Sequence, residues 1–205
     1  MANQSPVRIG HCVPDAPDVD VHVDGEIAFE RIAFTEVTDY AGLSSGSHEV
    51  TITAHGESDP VIETTLDLDD DTSYTVLATG MLDEDDIAAT VMMDDPGTVA
   101  DRKCHARFIH ASPDAPAIDI RVAGGGPTLF ENVSFREASE YTPVDADTYD
   151  IEVCPAGSDD IALSLPTTTL DGGSAITAIA VGLLGDDSLS AVITEDATMA
   201  LAADD

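Results

Sequence analysis

Basic residues are scarce in this sequence, and the shortage narrows the range of partners. The 205 residues contain 7 Lys and Arg against 41 Asp and Glu, a formal net charge of −34, and Lys103 is the one lysine. A chain with this charge repels nucleic acid and anionic lipid, so we expect neither as a partner. Because 43% of the residues are hydrophobic and lie in short patterned runs, we expect an ordered chain apart from its tails.

Long apolar runs are absent as well. No stretch reaches the roughly 18 apolar residues of a membrane-spanning helix, so we expect no insertion into a membrane. The first residues, "MANQSPVRIG", lack the basic segment and apolar core of a signal peptide. A native N-terminus of this kind predicts a cytoplasmic location. A start codon added to a mature secreted chain is the open alternative.

Motifs for catalysis and for cofactors are also missing. The sequence contains no CxxC or HxxxH motif. Its match to GxSxG, "GLSSG" at 42–46, and its glycine cluster "GGGP" at 124–127 precede no helical pattern, which a nucleophile elbow and a phosphate-binding loop both need. We therefore expect no enzymatic activity, no catalytic residues and no cofactor. The three cysteines, Cys12, Cys104 and Cys154, cannot all pair within one chain. A bond between Cys104 and Cys154 and a set of buried free thiols are both open.

The acidic excess itself is typical of adaptation to molar salt. Surface carboxylates repel one another in ordinary buffer and oppose the compact state. At about 1 M salt the screening length falls to roughly 3 Å, which removes most of that repulsion. With little lysine and abundant Asp, Ala, Val and Thr, the composition indicates a halophilic archaeon. Salt cations at high concentration are then the expected partners of the surface.

A long internal repeat is the main feature that the sequence does contain. The segment 7–23, "VRIGHCVPDAPDVDVHV", matches 106–122, "ARFIHASPDAPAIDIRV", at an offset of 99 residues. Three further pairs keep nearly the same offset, drifting only within loops: 29–40 with 130–141, 47–59 with 148–160, and 72–82 with 174–184. A repeated unit of roughly 95 residues has the length of a domain, so we infer a tandem duplication.

The pattern inside each unit is that of β-strands. "VDVHV" and "IDIRV" alternate apolar and polar residues, whereas "YTVLATG" and "ITAIAVG" are nearly continuous apolar runs typical of a central strand. Turn residues separate about seven short strands per unit, which predicts an all-β fold of two tandem β-sandwich domains. We place the first domain at 1–94, a linker at 95–104, and the second domain, with a short acidic C-terminal tail, at 105–205.

The motif HxxPDAPxxD occurs once in each unit and supplies the candidate site residues. They are His11, Pro14, Asp15, Pro17 and Asp20 in the first unit, and His110, Pro113, Asp114, Pro116 and Asp119 in the second. Two prolines around Asp-Ala predict a rigid turn between strands, with Asp and His bonded to the local backbone. The alternative is a Ca²⁺ site on Asp15, Asp20, Asp114 and Asp119, although two carboxylates per unit are few for Ca²⁺.

Aromatic residues also recur at matched places. Of 5 Phe and 4 Tyr, six form pairs between the units: Phe29 with Phe130, Phe34 with Phe135, and Tyr40 with Tyr141. Their expected role is core packing or a hydrogen bond near a strand end, as in a tyrosine corner. An exposed aromatic patch for a partner or a sugar is the alternative.

These repeated motifs resemble those of a known family. "HASPDAP", "FENVSF" with the Tyr that follows it, and "VCPAG" are similar to the tandem domains of unknown function named DUF4397, over nearly the whole chain. The first unit departs from this pattern at Cys12, at Val13 and at "TAHG", 53–56. The resemblance implies an immunoglobulin-like or transthyretin-like sandwich, often on a secreted or cell-surface protein, with no known enzyme activity. Such a resemblance does not fix function.

Two interpretations of function follow. The first is a non-enzymatic structural or interaction protein, used in adhesion or as a scaffold, whose partner is an unidentified protein or surface. The second is a module that binds a small ligand or a cation through the HxxPDAPxxD loops. Convergence of His11, Asp15 and Asp20 on one cavity would favour binding, whereas separate local contacts would favour a structural role.

Overall fold

The structure, a computed structural model, describes residues 4–196. This part of the chain is all-β, as the sequence predicted, and no helix within it is long and apolar enough to cross a membrane. Contacts divide the chain into two units, Met1–Asp94 and Asp95–Asp205. Each unit is a β-sandwich of two four-stranded sheets. The acidic C-terminal tail lies outside the described residues.

Within residues 4–94 the first unit contains eight strands. They are β1 (Gln4–His11), β2 (Val19–Val23), β3 (Glu26–Ile32), β4 (Ala41–Ser44), β5 (Gly46–Ala54), β6 (Pro60–Leu68), β7 (Ser73–Met81) and β8 (Asp86–Asp94). One sheet has the order β4-β1-β7-β8 and the other β3-β2-β5-β6. All neighbouring strands are antiparallel except β1 and β7, which are parallel.

The second unit repeats this topology. Its strands are β9 (Lys103–His110), β10 (Ile118–Val122), β11 (Thr128–Val133), β12 (Thr142–Asp145), β13 (Thr148–Pro155), β14 (Leu163–Thr169), β15 (Ala175–Val181) and β16 (Ser190–Glu195). The sheets run β12-β9-β15-β16 and β11-β10-β13-β14, with β9 and β15 parallel. In the described part of the chain each unit has eight strands where the sequence predicted about seven, because the four-residue strands β4 and β12 are too short to show a periodic pattern.

The strand order can be compared with that of an immunoglobulin domain, one of the two architectures that the resemblance implied. In an immunoglobulin domain the first, second, fifth and fourth strands share one sheet. Here the first strand pairs with the fourth and seventh, and the second pairs with the third and fifth. Each unit is therefore a β-sandwich whose strand order differs from that of an immunoglobulin domain.

Alternating side chains account for the core of each unit. Val19 and Val21 of β2 face inward and are buried, as the alternation in "VDVHV" predicts. The "YTVLATG" strand, β7, lies between β1 and β8, and Val76 and Ala78 are both 2% exposed. In the second unit Ile176 is buried at 9%, whereas Ala178 is half-buried against the core.

The predicted linker ends earlier than expected. Lys103 and Cys104 belong to β9, and the Lys103 ammonium lies 2.6 Å from the Asp145 carboxylate. The backbone oxygens of Arg102 and Lys103 accept hydrogen bonds from Ala146 and Gly173. These residues are thus part of the second sandwich. Cys12, Cys104 and Cys154 are buried free thiols, so Cys104 and Cys154 form no disulfide.

Candidate functional site

The histidine of each motif is a buried side chain that spans its own turn. Nε2 of His11 lies 3.0 Å from the Pro17 carbonyl oxygen, and the Val13 N–H donates to Nδ1 at 3.3 Å. In the second unit Nε2 of His110 lies 3.0 Å from the oxygen of Pro116. Because Nδ1 accepts, the proton sits on Nε2 and donates to the proline carbonyl. Each ring therefore joins the start of the motif to the second proline, on the far side of the turn.

Burial sets the charge of these histidines. It lowers the pKa of His11, against the opposing effects of the Pro17 carbonyl and the charge of Asp18. It lowers the pKa of His110 in the same way, against its bonds to Pro116 and Ala115. Both rings are thus neutral at pH 7 and are bound by hydrogen bonds rather than by ion pairs.

Asp15 and Asp114 tie this turn to a second loop. The Asp15 carboxylate accepts N–H bonds from Leu82 and Asp83, both at 2.9 Å. Asp114 accepts bonds from Leu184 and Gly185, both at 2.8 Å. Burial alone would raise the pKa of Asp15, but hydrogen bonds from the N–H groups of Asp83, Leu82 and Asp15 itself together outweigh burial and lower it.

Asp20 and Asp119 hold a different loop. Asp20 accepts bonds from the Arg31 N–H at 2.7 Å and from the Gly56 N–H at 3.2 Å, and lies 2.9 Å from Nδ1 of His55. Asp119 accepts from the N–H groups of Asn132, at 2.7 Å, and Gly157, at 2.9 Å.

The Asp20 and Asp119 bonds fix a strained position in the hairpin. Arg31 and Asn132 have positive φ angles of 55° and 52°, which side chains other than glycine adopt at a cost. The carboxylates therefore stabilise the bulged pairing of β2 with β3 and of β10 with β11.

The prolines shape the turn itself. Val13 to Ala16 form a turn in which the Ala16 N–H reaches the Val13 oxygen at 3.4 Å. Pro14 occupies the second position of this turn, where its fixed φ is favoured. Pro113 has the same place in the second unit. Pro17 and Pro116 supply the carbonyls that the histidines bind.

The motif side chains thus have separate partners, and they do not converge on one cavity. His11 bonds within its turn, Asp15 bonds the loop after β7, and Asp20 bonds the loop after β5. Across residues 4–196 no group of three or more His, Cys, Asp or Glu side chains is arranged to hold a metal ion. In the same range, every buried side-chain nitrogen or oxygen has a hydrogen-bond partner.

A buried polar cluster, which the sequence analysis missed, lies on β1, β7 and β8. Arg8 is 1% exposed, and its Nε donates to the Thr75 hydroxyl at 2.8 Å. Thr75 donates to the Asp94 carboxylate at 2.7 Å, as does the Tyr40 hydroxyl at 2.8 Å. The Arg8 guanidinium also stacks over the Tyr40 ring, 4.8 Å from its centre. These contacts tie the segment before β4 to the sheet.

The second unit contains the matching cluster. Arg107 donates to Thr177, which donates to Asp196 at 2.8 Å, and Tyr141 also donates to Asp196 at 2.8 Å. The Arg107 guanidinium lies 4.7 Å from the centre of the Tyr141 ring. The sequence does contain a signal for these clusters. Arg8 and Arg107 are the one pair of basic residues at matched positions of the repeat.

The remaining matched aromatics have packing roles. Phe34 and Phe135 contact His11 and His110 edge-on, with ring centres 6.2 Å apart in both units. Phe130 is buried in the core of its unit, and Phe29 is half-buried against the core of the first. These contacts agree with the packing role expected of them.

Comparison with known proteins places these features in context. The family model described as "Domain of unknown function (DUF4397)" matches residues 5–121 and 122–205. The border between the matches falls within β10, whereas the contacts divide the chain after Asp94. No curated protein matches the sequence.

One solved structure to which this chain is similar is a carbohydrate-binding module. It is CBMbc (family CBM26) from Eubacterium rectale Amy13K, in complex with maltoheptaose. The alignment covers 94% of this chain and 98% of that one, at 9% identity and a TM-score of 0.32. At this TM-score and identity, the similarity supports no inference about the function of this chain.

Proposed function

The chain belongs to the DUF4397 family of domains of unknown function, and from this premise we propose that it is a non-enzymatic interaction protein. Its two sandwich domains act as rigid supports for adhesion or for assembly with another protein or a surface. The HxxPDAPxxD loops contribute to folding rather than to recognition.

One observation carries this proposal: the motif side chains are occupied by internal hydrogen bonds in both units. Asp15 and Asp114 each accept two N–H groups from a neighbouring loop. A carboxylate surrounded by N–H donors presents few free oxygens to Ca²⁺, which takes six to eight oxygen ligands. The same bonds make the loop ends of each sandwich stiff, which suits a scaffold.

A calcium titration tests the structural role of the loops against the cation-binding alternative. Isothermal titration of the full chain with CaCl₂ in molar KCl should show no saturable binding at micromolar to low millimolar concentrations. Asp114→Asn and Asp15→Asn should behave like the unaltered chain in this titration. A saturable site that Asp114→Asn removes would overturn the proposal and support the cation-binding module.

An adhesion assay tests the interaction role directly. Beads coated with the full chain are mixed in molar KCl with uncoated surfaces, with cells and with one another. Attachment above that of beads coated with an unrelated acidic protein of similar charge supports the proposal. Attachment no greater than this control in every arm would contradict adhesion.

A further inference from the structure

The sandwich of the second unit contains an apolar cleft that enters its core. The cleft has a volume of about 50 Å³, and its accessible surface is entirely apolar. Leu165 and Thr168 of β14 lie on one side, and Ile193 of β16, 45% exposed, lies on the other. Phe130 and Val153 line the deeper part.

Three core positions on this side of the sandwich carry larger side chains in the first unit than in the second, whereas Phe108 of the second unit is larger than its counterpart Ile9. Tyr74, Val76 and Leu66 are each no more than 5% exposed and belong to its core. At the matched positions of the second unit stand smaller residues, namely Ile176, Ala178 and Thr168. In the first unit β6 also packs against β8 across this side of the sandwich. These three smaller side chains leave room for the cleft on this side of the second unit.

A cleft of this kind favours the binding of an apolar group. Protein interiors are otherwise close-packed, and an apolar void of this kind excludes water because it offers no hydrogen-bond partner. A single water needs roughly 10–15 Å³ of such space, so the cleft has room for a short alkyl group. Residues 101–205 contain 19 acidic and 5 basic side chains, which disfavours a ligand with an anionic head.

We propose that the second unit binds the aliphatic end of a small molecule without negative charge in this cleft. The alkyl group enters between β14 and β16 and packs against Ile176, Ala178 and Ile193. The polar head of the molecule stays outside, in water. This site is separate from the HxxPDAPxxD loops, so its test is independent of the function proposed above.

Titration of the full chain with 1-hexanol in molar KCl tests the proposal. The methyl resonances of Ile176 and Ile193 should shift in a saturable manner, and those of Ile52 and Ile62 in the first unit should not. Hexanoate, which has a chain of the same length and a negative charge, should bind at least about tenfold more weakly. An absence of saturable shifts with 1-hexanol would overturn the proposal, and equal binding of hexanoate would overturn its charge requirement.

Variants that fill the cleft supply the second arm. Ala178→Val and Thr168→Leu introduce the residues that the first unit has at these positions, one from each sheet. Each should weaken 1-hexanol binding by at least about tenfold while the chain stays folded by circular dichroism. Ala138→Val, at an exposed alanine outside the cleft, should leave the affinity unchanged. Unaltered affinity in both filled variants would place the alcohol elsewhere and contradict the proposal.

Discussion

His48 and Tyr149 show how single residues can make the same connection with different chemistry. In the first unit Nε2 of His48 lies 2.7 Å from the Ser44 carbonyl oxygen, and Nδ1 lies 2.7 Å from the Asp24 carboxylate. In the second unit the Tyr149 hydroxyl donates to the Asp145 carbonyl oxygen at 3.0 Å. Both bonds join the start of the long inner strand to the short edge strand before it. The first unit alone uses a group that titrates near neutral pH.

Replacing His48 should change how stability depends on pH. The hydrogen bond with Asp24, aided by the Ser44 carbonyl, raises the pKa of His48 above its ordinary value of 6.5. The resulting stabilisation is complete below pH 6.5, the unfolded value, and is lost as the pH rises through the folded value. We expect His48→Gln to be most destabilising, relative to the unaltered chain, near pH 6, with the deficit shrinking above pH 7. Urea unfolding at a series of pH values measures it.

Asp24→Asn provides the control for this pH effect. The variant removes the charge that favours the protonated ring, so the His48→Gln change made in its background should show little dependence on pH. His11 and His110 titrate in the opposite sense, because burial lowers the pKa of both. Their contribution is the same in all four proteins and cancels from the comparison. If the loss of stability caused by His48→Gln is independent of pH both in the unaltered chain and in the Asp24→Asn variant, the coupling between His48 and Asp24 is refuted.

The tyrosine hydroxyls offer a second test with a control inside the same domain. Tyr141 donates to the buried Asp196 carboxylate, whereas Tyr149 donates to an exposed carbonyl oxygen that water can also reach. Leaving a buried acceptor short of a donor costs about 1–3 kcal/mol. We expect Tyr141→Phe to lower the free energy of unfolding by that amount and Tyr149→Phe to lower it by less than about 0.5 kcal/mol. Equal losses in denaturant unfolding would be inconsistent with the polar cluster as described.

At the scale of strands and loops, one carboxylate in each unit joins two connections that are distant in sequence. Asp15 and Asp114 link the β1–β2 and β9–β10 connections to the β7–β8 and β15–β16 connections. The linked strands β1 and β7, and β9 and β15, are the parallel pair of each sandwich. No hairpin can join parallel neighbours, so these bonds supply the local closure that a tight turn gives elsewhere.

Hydrogen exchange can resolve this closure in each unit separately. Asp15→Ala should speed exchange of the Leu82 and Asp83 amides by at least about tenfold, since their acceptor is lost. Asp114→Ala should have the same effect on Leu184 and Gly185. Each variant is the control for the other, because the loop of the unaltered unit should keep its protection. Unchanged exchange at the four amides would show that water replaces the carboxylates without loss.

Periodic elements were predictable from the sequence, and contacts between distant segments were not. Alternation located β2 and β10, and continuous apolar runs located β7 and β15. Arg8 stands at a polar position of an alternating strand, and this position predicts that its side chain is exposed to solvent. It is buried because residues about 30 and 70 positions away, Tyr40 and Thr75, cover it. Local spacing contains no information about such partners.

The candidate site shows the same limit. The two prolines and the short polar side chains predicted a turn held by its own Asp and His, and His11 does bond within the turn. The sequence could not show that Asp15 and Asp20 would bond two further loops, following β7 and β5. The apolar cleft was equally invisible, because Ile176 and Ala178 are ordinary core residues until their volumes are compared with those of Tyr74 and Val76 in the other unit.

At the scale of the whole molecule, the charge of the chain is not balanced internally. Arg31, Lys103 and Arg121 form ion pairs with carboxylates, and Arg8 and Arg107 are buried in the polar clusters. Even if every basic side chain neutralised one carboxylate, the net charge of −34 would remain on the surface. We therefore expect cations from solution to screen the repulsion between these carboxylates.

We predict that the thermal stability of the full chain rises steeply from about 0.1 M to several molar KCl or NaCl. Two like charges at about 4 Å in water repel by roughly 1 kcal/mol, and a folded domain is stable by only about 5–15 kcal/mol. Without screening, the summed repulsion of many such pairs would exceed the free energy of unfolding. Residues 1–100, with 22 acidic and 2 basic side chains, should unfold at lower temperature than the rest as salt is removed.

Sulfate separates charge screening from salting-out of apolar surface. At matched ionic strength sulfate strengthens apolar burial more than chloride does, so a purely screening effect should give equal melting temperatures in the two salts. We expect near-equal values below about 1 M ionic strength, where screening dominates, and a higher melting temperature in sulfate above it. Calorimetry on the full chain across both salt series gives these values directly. A melting temperature that stays flat from low to molar salt would refute adaptation to salt, because the carboxylates would then be tolerated without screening.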